Sequence, residues 1–315
     1  MRVCVIEHRR ANVDKAFDFL RGREHPAHEG PDVERDFEVG KFDRLEIAAP
    51  FDVDIETGEE CNVHAVGPES ALDLIRVETD GDRLFVGCDG DCGSDINLSV
   101  TLPALRELRM LGSGDVSVDQ ISGDEFDCSS TGSGDLSIDS IEVQSFDLSG
   151  AGSGDVAIDK IRSDRFEATL MGSGDLSIDA VESAEFTLTI NGSGDAKVGE
   201  YSGDKLHAAL SGSGDVAFES VEAEAIKVVT FGSGDISIEQ GQARTARIET
   251  SGSGDISCEG AEFAEASISV CGSGDVSARV TDRAEISVMG SGDVSVTGGA
   301  KCTVSGSGSG DISWN

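Results

Sequence analysis

Tryptophan and tyrosine occur once each in the 315 residues, and there are only 5 prolines and 5 histidines. A carbohydrate-cleaving groove pairs two carboxylates with aromatic sugar platforms, so the shortage of indole and phenol rings argues against one. None of the histidines stands in a recognisable catalytic context, and no nucleophile elbow, phosphate loop, dinucleotide fingerprint or zinc-protease motif is present. No run of about 18 apolar residues exists, which excludes an ordinary transmembrane helix. The opening MRVCVIEHRRANVDKAFDFL lacks the apolar core and small-residue cleavage site of a secretory signal. On that ground alone the expected compartment is the cytoplasm.

Positive charge is also scarce. There are 24 basic residues against 61 acidic ones, a formal net charge of −37. A field of that sign repels nucleic acid and anionic membranes and attracts counterions or cationic partners. Acidity kept for solubility is the simpler reading, with specific cation binding as its rival. With 38% hydrophobic residues the chain is too apolar for a disordered polymer despite its 40 glycines.

Residues 1–32 carry six acidic and six basic side chains, so the whole net charge falls on 33–315 and the character changes near Pro31. This segment reads as a tail or appendage, and its HPAH stretch, His25 to His28, as a solvated loop. Residues 33–111 hold short alternating runs such as FDVDI (Phe51 to Ile55) and RLFVG (from Arg83), broken by Gly, Asp or Pro. Such runs predict irregular β-strands that open and cap the remainder of the chain.

Residues 112–315 are built on a repeat. GSGD begins at Gly112 and returns every twenty residues to Gly272, then at Gly290 and Gly308, eleven times in all. Apolar residues keep their places between copies. Directly after the aspartate come Val116, Leu136, Val156 and Leu176, and two residues further on Val118, Ile138, Ile158 and Ile178. A second run supplies Phe126, Phe146, Phe166 and Phe186, followed by Cys128, Leu148, Ala168 and Leu188. Two short strands in twenty residues bury both apolar faces only by coiling and stacking in register. The expected fold is therefore all-β, a single-stranded parallel β-helix (β-solenoid) of about eleven coils, right-handed as crossovers between parallel strands strongly are. Cys128, Cys258, Cys271 and Cys302 sit at or beside core places, where cysteine acts as a small hydrophobe. Cys88 and Cys92, in CDGDC, are a close pair open to a local disulfide or a metal.

In the tetrapeptide, glycines suit a corner that needs positive φ, and the aspartate suits a turn in which it accepts backbone N–H bonds. In-register stacking makes a file of Asp115, Asp135, Asp155, Asp175, Asp195, Asp215, Asp235, Asp255, Asp275, Asp293 and Asp311. Neighbours about 4.8 Å apart repel by roughly 1 kcal/mol even in bulk water, so something must offset the charge. Hydrogen-bonded turns with loose counterions are the preferred reading, and a Ca²⁺ ladder is the alternative. The motif partly resembles the GGxGxD nonapeptide of calcium-binding β-rolls, but at a spacing of twenty and without the first paired glycine. No other cofactor is expected. A second acidic file, from Asp119 through Asp139, Asp159 and Asp179 to Glu219, Glu239 and Glu259, lies outward beside Ser117, Ser137 and Ser177.

The stretch FDRLEIAAPFDVDIETGEECNVHAVGPE, the LSVTLPALREL approach to the coils and the GSGD string together resemble the GIN-domain family, the head of auto-transporter adhesins, over about residues 37–315. The resemblance implies a β-helical head, usually exported, that binds a protein or glycan ligand and carries no catalytic residues. Three functional classes are expected, in this order: a non-enzymatic adhesin-like surface, a Ca²⁺-dependent scaffold, and a carbohydrate-active enzyme.

Overall fold

The computed structural model describes residues 30–315; the first twenty-nine, with the HPAH stretch, lie outside the described residues. The chain is a stack of parallel coils of about twenty residues each, nearly all strand. The coil strands are β9 (Val116–Ser130), β10 (Leu136–Gly150), β11 (Val156–Leu170), β12 (Leu176–Ile190), β13 (Ala196–Leu210), β14 (Val216–Thr230), β15 (Ile236–Thr250), β16 (Ile256–Val270) and β17 (Val276–Val288). Each pairs in parallel with the next, residue n facing n + 20 as in Ile138 with Ile158 and Phe146 with Phe166, until β16 meets β17, where the register shifts after Cys258 and ends at n + 18.

From β9 to β16 each coil holds one bent fifteen-residue strand, and β17 one of thirteen, not the two short strands expected. Alternation lapses twice, where adjacent residues such as Asp119 and Gln120, or Asp124 and Glu125, both face solvent. These lapses are bends, and between them lies an inward file absent from the sequence reading: Ile121, Ile141, Ile161, Val181, Tyr201 and Val221, all buried. A further inward file runs through Leu170, Ile190, Leu210, Thr230, Thr250 and Val270. Thr230 and Thr250 enter it because their hydroxyls donate to the carbonyls of Gly234 and Gly254 at 3.2 and 3.1 Å.

The core keeps its volume while its residues change. Phe126, Phe146, Phe166 and Phe186 stack with centroids 5.3, 4.8 and 4.6 Å apart. Their file then shrinks to Leu206, Ile226, Ala246 and Ala266. Tyr201, Phe218 and Phe263 fill the space from three other files, each under about 2% exposed. The Tyr201 hydroxyl donates to the carbonyl of Lys205 at 2.7 Å, and burial raises its pKa. Cys128 and Cys258 are buried hydrophobes whose thiols burial pushes up to about 12, whereas Cys271 is exposed.

At the N-terminal end the stack begins before the first GSGD. β2 (Arg44–Ala48) and β3 (Asp52–Thr57) form a coil of their own, pairing in parallel with β8 (Glu107–Met110) and with Val116–Val118 of β9. Above them, β6 (Arg83–Cys88) and β7 (Asn97–Leu102) pair in parallel with β2 and β3. β4 (Asn62–Pro68) and β5 (Ile75–Asp80) then close the end by pairing antiparallel with β7 and β6, and β1 (Asp32–Phe37) pairs antiparallel with β4. Cys88 and Cys92 are joined by a disulfide beside this cap. At the other end, β18 (Val294–Thr297), β19 (Lys301–Gly306) and β20 (Ile312–Trp314) complete the last coils. Trp314 follows Val296 in the file of Ile138 and Ile178 and is 53% exposed on the end of the core.

The glycines of the tetrapeptide serve a different purpose from the one predicted. None has a φ in the left-handed region. A Cβ on Gly174 would instead lie 2.1 Å from the carbonyl oxygen of Gly154, and one on Gly172 would lie 1.9 Å from that of Gly152. The corner thus brings two backbones closer than any side chain permits. Gly174→Ala is expected to cost about 3 kcal/mol in urea unfolding, because backbone on both sides has no room to yield. Ser173→Ala, on the exposed residue between them, should change stability by less than about 0.5 kcal/mol. Equal effects would contradict the close approach.

Candidate functional site

The eleven aspartates of the repeat stand in one file at the corner. Their first carboxylate oxygens are all engaged in the same way except at the end of the row. Oδ1 of Asp115 accepts the backbone N–H of Asp135 at 2.8 Å, Asp135 that of Asp155, and so on through Asp155, Asp175 and Asp195. The series continues through Asp215, Asp235, Asp255, Asp275 and Asp293 to the N–H of Asp311, at 2.7 to 2.9 Å throughout. The bond therefore joins one coil to the next instead of closing a turn within a coil. It also reaches one residue beyond the GSGD copies, since Oδ1 of Asp52 accepts the N–H of Asp115 at 3.1 Å. The signal for Asp52 was legible: DVDI after Phe51 repeats the spacing of DVSV after Gly114.

Backbone donation favours the ionised carboxylate, and burial beside like charge opposes it. For Asp115 and Asp135 burial is the larger influence and raises the pKa, with Asp52 and the neighbouring aspartates adding to it. Among the described residues no group of three or more His, Cys, Asp or Glu side chains is gathered about a point where a metal could sit. A second acidic file faces outward as expected, with Asp119, Asp139, Asp159 and Asp179 exposed. Asp119 accepts the N–H of Thr57.

A third acidic file was missed. Glu107, Asp127, Asp147 and Glu167 face one another in register on the wall that precedes the corner, lining a shallow groove with Ser129, Ser149 and Thr169. Burial, then Asp147, Glu125 and Glu107, raise the pKa of Asp127. Further along, the same file changes sign, becoming Thr187, His207, Lys227 and Arg247. The one tyrosine lies in the core, and Trp314 stands on the last coil away from this groove.

The family model described as "Putative auto-transporter adhesin, head GIN domain" matches residues 41–219 and 199–300. The chain belongs to that family. Two overlapping matches are what a run of equivalent coils produces, and together they cover residues 41–300. Among solved structures, the chain is similar to a putative adhesin from Parabacteroides distasonis ATCC 8503, at 15% identity and TM-score 0.40, covering 92% of this chain and 99% of that one. It is also similar to a putative adhesin from Bacteroides fragilis NCTC 9343, at 17% identity and TM-score 0.32, over 92% and 99%. A third is a putative lipid binding protein from Parabacteroides distasonis ATCC 8503, at 17% identity and TM-score 0.37, over 92% and 98%. No curated protein matches.

The carboxylate files of this GIN-domain chain lead to two predictions. Asp175→Asn keeps an oxygen for the N–H of Asp195 and should cost about 1 kcal/mol or less, while Asp175→Ala strands that N–H and should cost about 1–3 kcal/mol. The fold should persist in chelator, and thermal melts in EDTA, MgCl₂ and CaCl₂ check it: unfolding in EDTA, or a large gain unique to Ca²⁺, would make these aspartates metal ligands.

The second concerns pH. Asp115, Asp127 and Asp135 have folded pKa values raised above the unfolded ones. The native chain therefore holds more protons in that interval, so their contribution is full below the ordinary carboxylate range and is lost as pH rises through the raised values. Glu182 and Glu185, lowered by Arg162 and Lys205, act in the opposite sense but are surface pairs screened by solvent. His207, whose pKa burial and then Lys227 lower, loses stability as pH falls below neutral, so the test is made in His207→Gln. Its melting temperature should rise as pH falls from neutral to the upper edge of the carboxylate range, and adding Asp127→Asn should flatten that slope. A melting temperature that falls over the same interval would contradict the raised values.

Proposed function

We propose that this GIN-domain chain is a non-enzymatic, adhesin-like solenoid of the cell envelope or surface that presents an extended wall to a protein or glycan partner. The observation that carries the reading is the register. Because residue n faces n + 20 through most of the coils, every outward position recurs at about 4.8 Å along the stack. Catalysis draws on one convergent group of unlike side chains, whereas a repeating wall offers many similar contacts whose individually weak energies combine on a partner long enough to span several coils. Family membership supports the adhesin role and an exported location, in contrast to the cytoplasmic expectation from the first twenty residues. Among the described residues no helix is long and apolar enough to cross a membrane.

The test combines location with binding. In cells producing the full chain, fractionation and antibody accessibility should place it in the envelope or on the surface. The purified chain should bind extended glycans or envelope proteins on an array, more weakly as the ligand is shortened. A protein confined to the cytosol that retains no array ligand would overturn the proposal.

A further inference from the structure

The side walls expose few large apolar residues, and those they expose fall in one file. Leu111, Met171, Phe231 and Met289, the residues just before a GSGD, are 48, 54, 60 and 61% exposed. The other exposed large apolar residues, Val304 and Trp314, belong to inward files left uncovered at the last coils. The four are evenly placed, three coils apart, or about 14 Å at the strand spacing. They stand in a wall almost without charge. In their own file, in the neighbouring file from Arg109 through Ser129 to Ser287, and in the exposed serines from Ser113 to Ser291, only Arg109 and Glu249 are ionised. On a chain of net charge −37 these three files form a strip of low charge, bounded on one side by the file of Glu107 and on the other by the aspartates from Asp115 to Asp293.

Evenly spaced residues read the same in both directions, so they are self-complementary about a two-fold axis perpendicular to the stack. Such an axis, lying between two copies, keeps each file opposite its own equivalent but reverses its order. Centred between the coils of Asn191 and Ser211, it sets Leu111 against the partner copy's Met289, and Met171 against its Phe231. The same operation acts on the file that changes sign, two residues across in the wall beyond the uncharged files. It sets Asp147 opposite Arg247 and Glu167 opposite Lys227, each pair occurring twice. Glu107 and Glu285, which would meet at the ends, are already paired with Arg83 and Arg283. Asp147 and Glu167 share Arg165, and Arg247 is paired with Glu249, so the pairs across the axis add to existing surface pairs. Lys227 is the file's cation with no ion pair of its own among the described residues of the chain. Ten coils at about 4.8 Å and roughly 20 Å of wall give about 900 Å² per copy, against about 800 Å² per partner in a standard-size interface.

We propose that the chain forms an antiparallel, side-by-side homodimer through this wall. The apolar file supplies the anchors, and the acidic-to-basic file sets the register.

Sedimentation of the full chain at concentrations up to about 100 µM should show a dimer, a weak but measurable range for such an interface. Phe231→Asp, on an exposed residue, should weaken it at least tenfold with an unchanged circular dichroism spectrum. Glu167→Lys and Lys227→Glu should each weaken it, and the double exchange should restore it. The axis also sets Thr131 opposite the partner copy's native Cys271, so Thr131→Cys should be oxidised to a dimer through Cys271. Ser251→Cys, about six coils from that thiol across the axis, should not. A monomeric wild-type chain would overturn the proposal, including one that instead binds lipid vesicles through the same wall. So would a double exchange that fails to restore association, or cross-linking as ready at Ser251→Cys as at Thr131→Cys.

Discussion

Everything in this molecule depends on the backbone of one coil hydrogen-bonding to the backbone of the next without a slip. At the corner that constraint is most severe, since the glycines of neighbouring coils approach within a distance no Cβ tolerates. The carbonyl of Gly152 accepts the N–H of Ser173, and the carbonyl of Asp175 accepts that of Val156, so the ladder continues through the corner where most folds would interrupt it. A slip of one residue would put side chains where only hydrogen fits and turn every inward file to solvent. The corner therefore acts as the register pin for strands that, rich in serine and small residues on their outer faces, have little else to hold them.

The aspartate belongs to the same device. Its side chain reaches forward to the N–H of the following aspartate, adding a side-chain bond parallel to the backbone ladder. Carboxylates stacked this closely repel, but every one from Asp115 to Asp293 accepts a backbone N–H, which favours the ionised form. The arrangement tolerates strong acidity because the charge is shared along an edge and is not enclosed in a core.

Much of the fold was readable because its signals repeat. The files of Val118 and Phe126 were legible from their spacing, and so was the parallel stack they require. The file of Ile121 escaped because it stands between two bends, where period-two alternation fails. The file of Leu170 escaped because Ser130, Gly150, Thr230 and Thr250 disguise it as polar. The role of the glycines was misread for a physical reason: a glycine needed for positive φ and one needed for close approach are the same letter. The acidic file of Glu107, Asp127, Asp147 and Glu167 was hidden because its members are ordinary outward residues of separate coils, and only stacking makes them neighbours.

The handling of core volume has a consequence for how such a chain changes length. In the coils of Phe126, Phe146, Phe166 and Phe186 each ring rests on a ring like itself, so one of these twenty-residue units is interchangeable with another. Beyond Phe186 the bulk passes to Tyr201 and then to Phe218, whose ring meets Phe186 edge-on across the intervening coil. Those units are no longer interchangeable. Excising the coil of Tyr201 alone would set Phe218 directly against Phe186, in a space shaped for smaller neighbours. Reach can therefore evolve freely in the first part of the stack, while the second part is inherited as a block.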